Sequence, residues 1–204
     1  MRTEQGVGPS RYTRTGKRVV DVAVSLLALP VVAVVAVPVG IAIKREDGGP
    51  VLYRSRRVGL GMREFDMYKF RTMAVAAPDI RNADGSTFSS DTDPRVTRVG
   101  GLLRRTSLDE LPQFLNVLLG DMSLVGPRPS PTGNRHLYPD HYLRKFDVRP
   151  GISGYNQYLL RNSATREQRF ANDLFYVDHV SARLDATILL GTVRAVLRRE
   201  NINR

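Results

Sequence analysis

Val22-Ala-Val-Ser-Leu-Leu-Ala-Leu-Pro30-Val-Val-Ala-Val-Val-Ala-Val-Pro38-Val-Gly-Ile-Ala-Ile43 contains no charged side chain. Only Ser25, Pro30, Pro38 and Gly40 interrupt its Ala/Val/Leu/Ile character. As a straight helix this stretch would extend about 33 Å, just enough to cross a bilayer. It is too long for the apolar core of a cleaved signal peptide, and it ends in Ala42-Ile43-Lys44-Arg45 without a small-residue cleavage pattern. Basic residues flank both ends: Arg11, Arg14, Lys17 and Arg18 before it, and Lys44, Arg45, Arg54, Arg56 and Arg57 after it. A crossing helix cannot satisfy the positive-inside tendency at both flanks. Pro30 removes one backbone hydrogen bond and allows a bend. A helix bent at Pro30 that returns to the cytoplasmic side meets both observations. A simple spanning helix, in which proline also occurs, is the second topology.

Outward from this segment, the chain of 204 residues is enough for one domain, or one domain and an anchor. Its 31 Lys+Arg against 20 Asp+Glu give a formal charge of +11, which suits a polyanionic partner: nucleic acid, an anionic bilayer surface or phosphorylated substrates. Cysteine is absent, which excludes disulfides and thiolate metal sites. Residues 1–16 read as a flexible leader, and Gly48-Gly49-Pro50 as a breaker after the anchor. Val51–Val58 and Arg63–Phe70, around Gly59-Leu60-Gly61, predict a β-hairpin. Asn82–Pro94 reads as a mobile loop, Arg95–Arg105 as a short basic helix, Leu111–Leu119 as an apolar one, and Pro127–Gly133 as irregular. Thr165–Val180 and Ser181–Arg199 predict two further helices. In the second, Leu184, Ile188, Leu189, Val193, Val196 and Leu197 form a stripe that suits core packing, or, beside Arg183, Arg194, Arg198 and Arg199, an interfacial amphipathic helix.

Two adjacent carboxylates, Asp109 and Glu110, sit between Arg104-Arg105 and Arg128. Ser107-Leu-Asp-Glu110 matches a capping box, the structural reading. Pro112 disfavours that register, because it would be the fifth helical residue. With Asp109 as the cap, Pro112 falls where no N–H bond is needed, and the helix terminus favours ionisation of Asp109. An ionised carboxylate beside phosphate-binding arginines is a competent nucleophile toward phosphorus. Arg128 is carried on a backbone stiffened by Pro127 and Pro129, and its planar fork suits bidentate phosphate contact. His136, His141 and His179 lack zinc-ligand spacing and read as surface or loop residues.

The ordered series of motifs resembles the bacterial sugar transferase family, the monotopic phosphoglycosyl transferases. The series comprises Lys17-Arg18-Val-Val-Asp21, Gly49-Pro50-Val-Leu-Tyr-Arg, Arg57-Val58-Gly59, Tyr68-Lys-Phe-Arg-Thr-Met73 and Asp93-Pro-Arg-Val-Thr-Arg-Val-Gly100. It continues through Leu103-Arg-Arg-Thr-Ser-Leu-Asp-Glu-Leu-Pro-Gln113, Asn116-Val117, Gly120-Asp-Met-Ser-Leu-Val-Gly-Pro-Arg-Pro129 and Arg149-Pro-Gly-Ile-Ser-Gly154. It runs from about residue 16 to 195, and the resemblance implies the family's minimal, single-domain form. The resemblance implies an α+β, mostly helical fold: a re-entrant membrane helix over 17–46 bent near Pro30, a short β-hairpin, interfacial amphipathic helices, and a catalytic domain over 47–204 at the cytoplasmic face of the bacterial inner membrane. It implies transfer of a phosphosugar from a UDP-sugar to polyprenol (undecaprenyl) phosphate with release of UMP. Asp109 would be the nucleophile and Glu110 a catalytic partner and ligand of Mg2+. Arg104, Arg128 and Arg161, with Gln157 and the weaker candidates Lys69 and Arg71, would bind substrate. The product would open exopolysaccharide, O-antigen, capsule or glycoprotein glycan synthesis.

Several positions depart from the family's usual pattern. Leu29 stands before Pro30 where many members have serine, Ser130-Pro-Thr-Gly-Asn134 lacks the usual acidic residue, Gly154-Tyr-Asn-Gln-Tyr-Leu-Leu-Arg161 keeps Gln157 and Arg161 among altered neighbours, and Val180 replaces a common tryptophan. These bear on the sugar, the nucleotide grip and membrane depth; none touches Asp109 or Glu110. A non-catalytic basic protein anchored to membrane lipid is the alternative. A nucleic-acid binder lacks any recognised motif, so no nucleic-acid partner is expected. The two C-terminal helices could support a homodimer.

Overall fold

The computed structural model describes residues 12–80, 88, 93–160 and 164–198. Helix α1 runs unbroken from Lys17 to Asp47, preceded by a π-turn at Tyr12–Gly16 that the sequence reading assigned to the leader. Both Pro30 and Pro38 lie inside it, so Pro30 does not divide it into two helices. Gly48, at φ 72°, ends it and returns its N–H to Lys44 O. Asp21, Ser25, Val32 and Ile43 are buried, while Leu27, Val31, Val34 and Val37 are exposed. One stripe thus meets the domain, and an apolar stripe faces away from it.

Both ends of α1 are fastened to the same body. Near its start, Asp21 Oδ1 accepts from Ser123 Oγ and Leu124 N, each at 3.0 Å, and Lys17 Nζ pairs with Asp185 at 2.6 Å. Arg18 donates to the carbonyls of Val117 and Leu118. Near its finish, Ile43 packs with Phe70 and Leu103. Asp47 pairs with Arg71, and Glu46 accepts from Arg98 N at 2.7 Å.

The expected hairpin forms from β1 (Leu52–Val58) and β2 (Glu64–Phe70), with Ser55 opposite Met67. Helices α2 (Arg98–Arg105) and α3 (Gln113–Leu119) follow. Helix α2 starts later than expected because Thr97 caps it and Arg95 is buried on Asp93. Strand β3 (Ser123–Val125) and β4 (Ser130–Pro131) come next, the latter pairing with β1 inside the stretch read as irregular. Strand β5 (Gly151–Ser153) pairs in parallel with β3. Helices α4 (Tyr155–Leu159), α5 (Arg166–Asp178) and α6 (Ala182–Leu197) complete the described fold. A Thr165/Gln168 capping box opens α5, and Ser181 caps α6. The α+β, mostly helical fold is therefore correct. Most of the loop expected at Asn82–Pro94 lies outside the described residues.

The larger core joins Phe65 and Met67 of β2 to Val117, Met122, Leu124, Val125, Tyr176 and Ile188. Helix α6 fills it with Ile188, Leu184 and Leu189, while Leu190 and Val193 are exposed. Core packing accounts for one side of its apolar stripe only.

Helix α2 lies directly on the chain leaving β2. A Cβ on Gly100 would stand 2.0 Å from Thr72 O and 2.6 Å from Thr72 C. Backbone cannot yield there as a side-chain tip can. Gly100→Ala is expected to cost about 3 kcal/mol through overpacking, read as a lower thermal midpoint of the detergent-solubilised protein.

Candidate active site

Alternation along β2 puts Phe65, Met67 and Lys69 on one face. The first two enter the core, and Lys69, next in the row, reaches a shallow cleft together with Met67. Glu110, Gln113, Arg57, Arg128 and Gln157 also line this cleft. The acidic pair is brought there by a reversal after α2. Ser107 has φ 56°, a left-handed conformation that costs about 1–2 kcal/mol for a residue with a Cβ. A single 3-10 turn, Leu108–Glu110, follows it, and Pro112 then starts α3.

Neither expected cap is present. The Ser107 side chain makes no capping hydrogen bond, and Asp109 lies within the 3-10 turn, with Pro112 at the N-cap of α3. Proline carries no side-chain acceptor and tolerates the missing N–H bond, so it takes the terminal position itself. Asp109 therefore gains no ionisation from capping a helix. Burial pushes its carboxyl up; Lys69 opposes this, Glu110 reinforces it, and Arg104 and Arg128 oppose it again, leaving it at about 6. Glu110 behaves oppositely. Burial raises it too, but Lys69 and Arg128, with hydrogen bonds from Lys69 and Gln113, hold it below the ordinary glutamate value.

The two acids differ in their partners as well. Lys69 Nζ donates to Glu110 Oε1 at 2.7 Å but stands 3.9 Å from Asp109 Oδ2. Asp109 is 9 % exposed and makes no side-chain hydrogen bond among the described residues. Arg104 is half-buried, donates to Thr72 Oγ1 at 3.0 Å, and its charge acts on Asp109. Arg128 is exposed. Its backbone is held by Lys145, a buried ammonium that donates to Arg128 O at 3.2 Å and pairs with Asp173 at 3.3 Å.

Six residues expected at the site, Asp109, Glu110, Lys69, Arg104, Arg128 and Gln157, thus gather around one cleft or its floor. Arg71 stands apart. Strand β2 ends at Phe70, and Arg71 is buried, donating to Asp47, Pro50 O and Met73 O, which makes it an anchor for α1. Arg161 lies outside the described residues. Gln113 and Arg57 also line the cleft, though the motifs that contain them predict no role for either. Gln113 could have been found by its position one helical turn after Glu110, a buried amide in an apolar run.

Among the described residues no three His, Cys, Asp or Glu side chains converge. Glu110, with Asp109 beside it, could supply one or two carboxylates to a magnesium ion whose other ligands are substrate phosphates and water, a donor set typical of nucleotide-binding sites. The histidines read as surface residues are exposed.

Arg57, Lys69 and Arg128 make the cleft cationic beside a buried carboxylate, Asp109, a lining suited to anionic groups. The bacterial sugar transferase profile matches residues 12–199, and the chain belongs to that family. It is 40% identical to the exopolysaccharide production protein PSS of Rhizobium leguminosarum bv. phaseoli, over 90% of this chain and 96% of that protein. It is 40% identical to the UDP-glucose:undecaprenyl-phosphate glucose-1-phosphate transferase of Caulobacter vibrioides, over 91% of this chain and 71% of that protein. It is 37% identical to the UDP-N-acetylgalactosamine-undecaprenyl-phosphate N-acetylgalactosaminephosphotransferase of Aeromonas hydrophila, over 89% of this chain but only 43% of that protein.

Proposed function

We propose that this protein transfers a phosphosugar from a UDP-sugar to polyprenol phosphate, forming a polyprenol diphosphate sugar and UMP through a covalent intermediate on Asp109. The observation that carries this reading is the asymmetry of the acidic pair. Glu110 is engaged by Lys69 and Gln113, whereas Asp109 makes no side-chain hydrogen bond among the described residues and faces three cations. An oxygen that makes no hydrogen bond and is ionised at neutral pH can attack; one committed to an ammonium is better suited to holding charge.

In the first half-reaction an Asp109 oxygen bonds to the phosphorus next to the sugar. The bond from that phosphorus to the bridging oxygen breaks, and UMP leaves with the electron pair. In the second, an oxygen of polyprenol phosphate bonds to the same phosphorus and the Asp109–phosphorus bond breaks, restoring the carboxylate. Arg104 and Arg128 bind the phosphate oxygens and stabilise charge as it shifts. Magnesium, held by Glu110 and the diphosphate, would add further neutralisation. Gln157 and Arg57 bind the remainder of the donor.

The apolar stripe of α1 brings this cleft to lipid, where the acceptor's phosphate resides. Because both ends of α1 dock on one domain, they are best accommodated on one side of the bilayer, which supports a re-entrant rather than crossing helix and a cytoplasmic-face site.

The pH dependence follows from Asp109. Protonation removes the nucleophile, so kcat/KM is expected to fall as pH drops through about 6. The reading itself is tested by the nucleotide released from a panel of UDP-sugars with polyprenol phosphate and magnesium. UMP is expected. UDP would mean ordinary glycosyl transfer and would rule out attack at phosphorus.

A further inference from the structure

We propose that Lys69 is an internal placeholder for the divalent cation, so that metal enters the cleft with the nucleotide and not before it; this rests on the phosphosugar-transfer reading above. The ammonium donates to Glu110 Oε1 at 2.7 Å and stands 3.9 Å from Asp109, which places one positive charge against both carboxylates. These are the only acidic groups available there among the described residues, since no third one converges on them.

A magnesium ion sits about 2.1 Å from each oxygen ligand. It cannot share Glu110 with an ammonium at hydrogen-bonding distance without strong repulsion between the two cations. Without nucleotide the cleft also keeps a net positive charge: Arg57, Lys69 and Arg128 line it, with Arg104 behind them, against Glu110 and Asp109. It therefore disfavours a free metal ion. A diphosphate changes both conditions. It supplies the missing oxygen ligands and offers Lys69 a new anion, so the ammonium can leave Glu110 for a phosphate oxygen as the metal arrives. Lys69 is well placed to swing, because its side chain lies at the end of a strand row and opens into the cleft.

The test measures Mn2+ binding to the purified full-length protein by the loss of the free Mn2+ electron paramagnetic resonance signal, without acceptor and without turnover. In the absence of nucleotide, Lys69→Met and Lys69→Gln are expected to bind Mn2+ at least tenfold more tightly than wild type, while Lys69→Arg, which retains the charge, stays close to wild type. Adding Glu110→Gln to Lys69→Met should abolish the gain. Equal Mn2+ affinity in wild type and both neutral variants, with unchanged thermal midpoints, overturns the proposal. So does a gain that survives Glu110→Gln, because the metal would then lie elsewhere. Failure of the phosphosugar reading is seen separately, as release of UDP instead of UMP by the wild-type enzyme.

Discussion

Asp109→Asn is expected to lower turnover by on the order of 10^4-fold while making the protein more stable at neutral pH in the absence of substrate. The loss follows from exchanging a carboxylate for an amide of nearly the same shape that cannot attack phosphorus. The gain follows from burial. Asp109 titrates near 6 in the folded protein against an ordinary 3.8, so the folded state binds this proton more tightly than the unfolded one. The stability associated with the neutral acid is fully present below about 3.8 and is lost as pH rises through about 6. At pH 7.5 the ionised carboxylate therefore costs about 1–3 kcal/mol, which Asn does not incur. The thermal midpoint of Asp109→Asn should exceed that of wild type at pH 7.5, and the difference should vanish near pH 4. A midpoint below wild type at pH 7.5 would mean that Asp109 is a structural residue and that its loss of activity reflects damage to the fold.

Asn116→Ala should show the opposite signature. Strand β2 is an edge of its sheet, in the order β2-β1-β4. Its outward backbone groups are satisfied by a side chain: Tyr68 N donates to Asn116 Oδ1 at 2.9 Å, and Asn116 Nδ2 donates to Asp66 O at 2.7 Å. The amide thus takes the place of a neighbouring strand, and it does so with no exposure to solvent. Removing it leaves the N–H of Tyr68 and the C=O of Asp66, both part-buried, unpaired and opens a cavity, together about 3–5 kcal/mol, or roughly a 10 °C fall in thermal midpoint. Because Asn116 fixes α3 against β2, it also sets the distance from Lys69 to the Asp109–Glu110 turn. Activity should fall along with stability. Asn116→Asp keeps the shape but places acceptors against Asp66 O, so it should be similarly destabilised at neutral pH; wild-type stability in that variant would exclude the strand-substitute role.

These two residues illustrate which parts of the molecule are legible in the chain. Helix α1, the β1–β2 hairpin, α5 and α6 declare themselves through local signals: an uncharged apolar run, alternation around glycines, and capping residues. Lys69 and Arg71 look equivalent in Tyr68-Lys-Phe-Arg-Thr-Met73, since alternation would keep them on one face. They diverge because β2 stops at Phe70, and the place where a strand stops depends on what packs beyond it. Asp47, at the end of α1, captures Arg71. The register around Asp109 departs from the expected one for a related reason. The sequence supplies two good caps, but α3 begins at Pro112, and Ser107 takes a left-handed turn that no local propensity favours. The β3–β5 pair is equally non-local. A Cβ on Gly151 would lie 2.1 Å from Gly126 N, so two glycines in separate motifs let the backbones meet and set Arg128 and Gln157 on one cleft.

The most direct test of the mechanism is the intact mass of the protein after incubation with its UDP-sugar and magnesium in the absence of polyprenol phosphate. A mass increase of one phosphosugar is expected, mapped to the peptide carrying Asp109, absent from Asp109→Asn, and discharged when polyprenol phosphate is added. An enzyme that turns over with both substrates yet never gains this mass, even when quenched within a single turnover, would contradict the covalent intermediate and require direct attack of the acceptor on the donor.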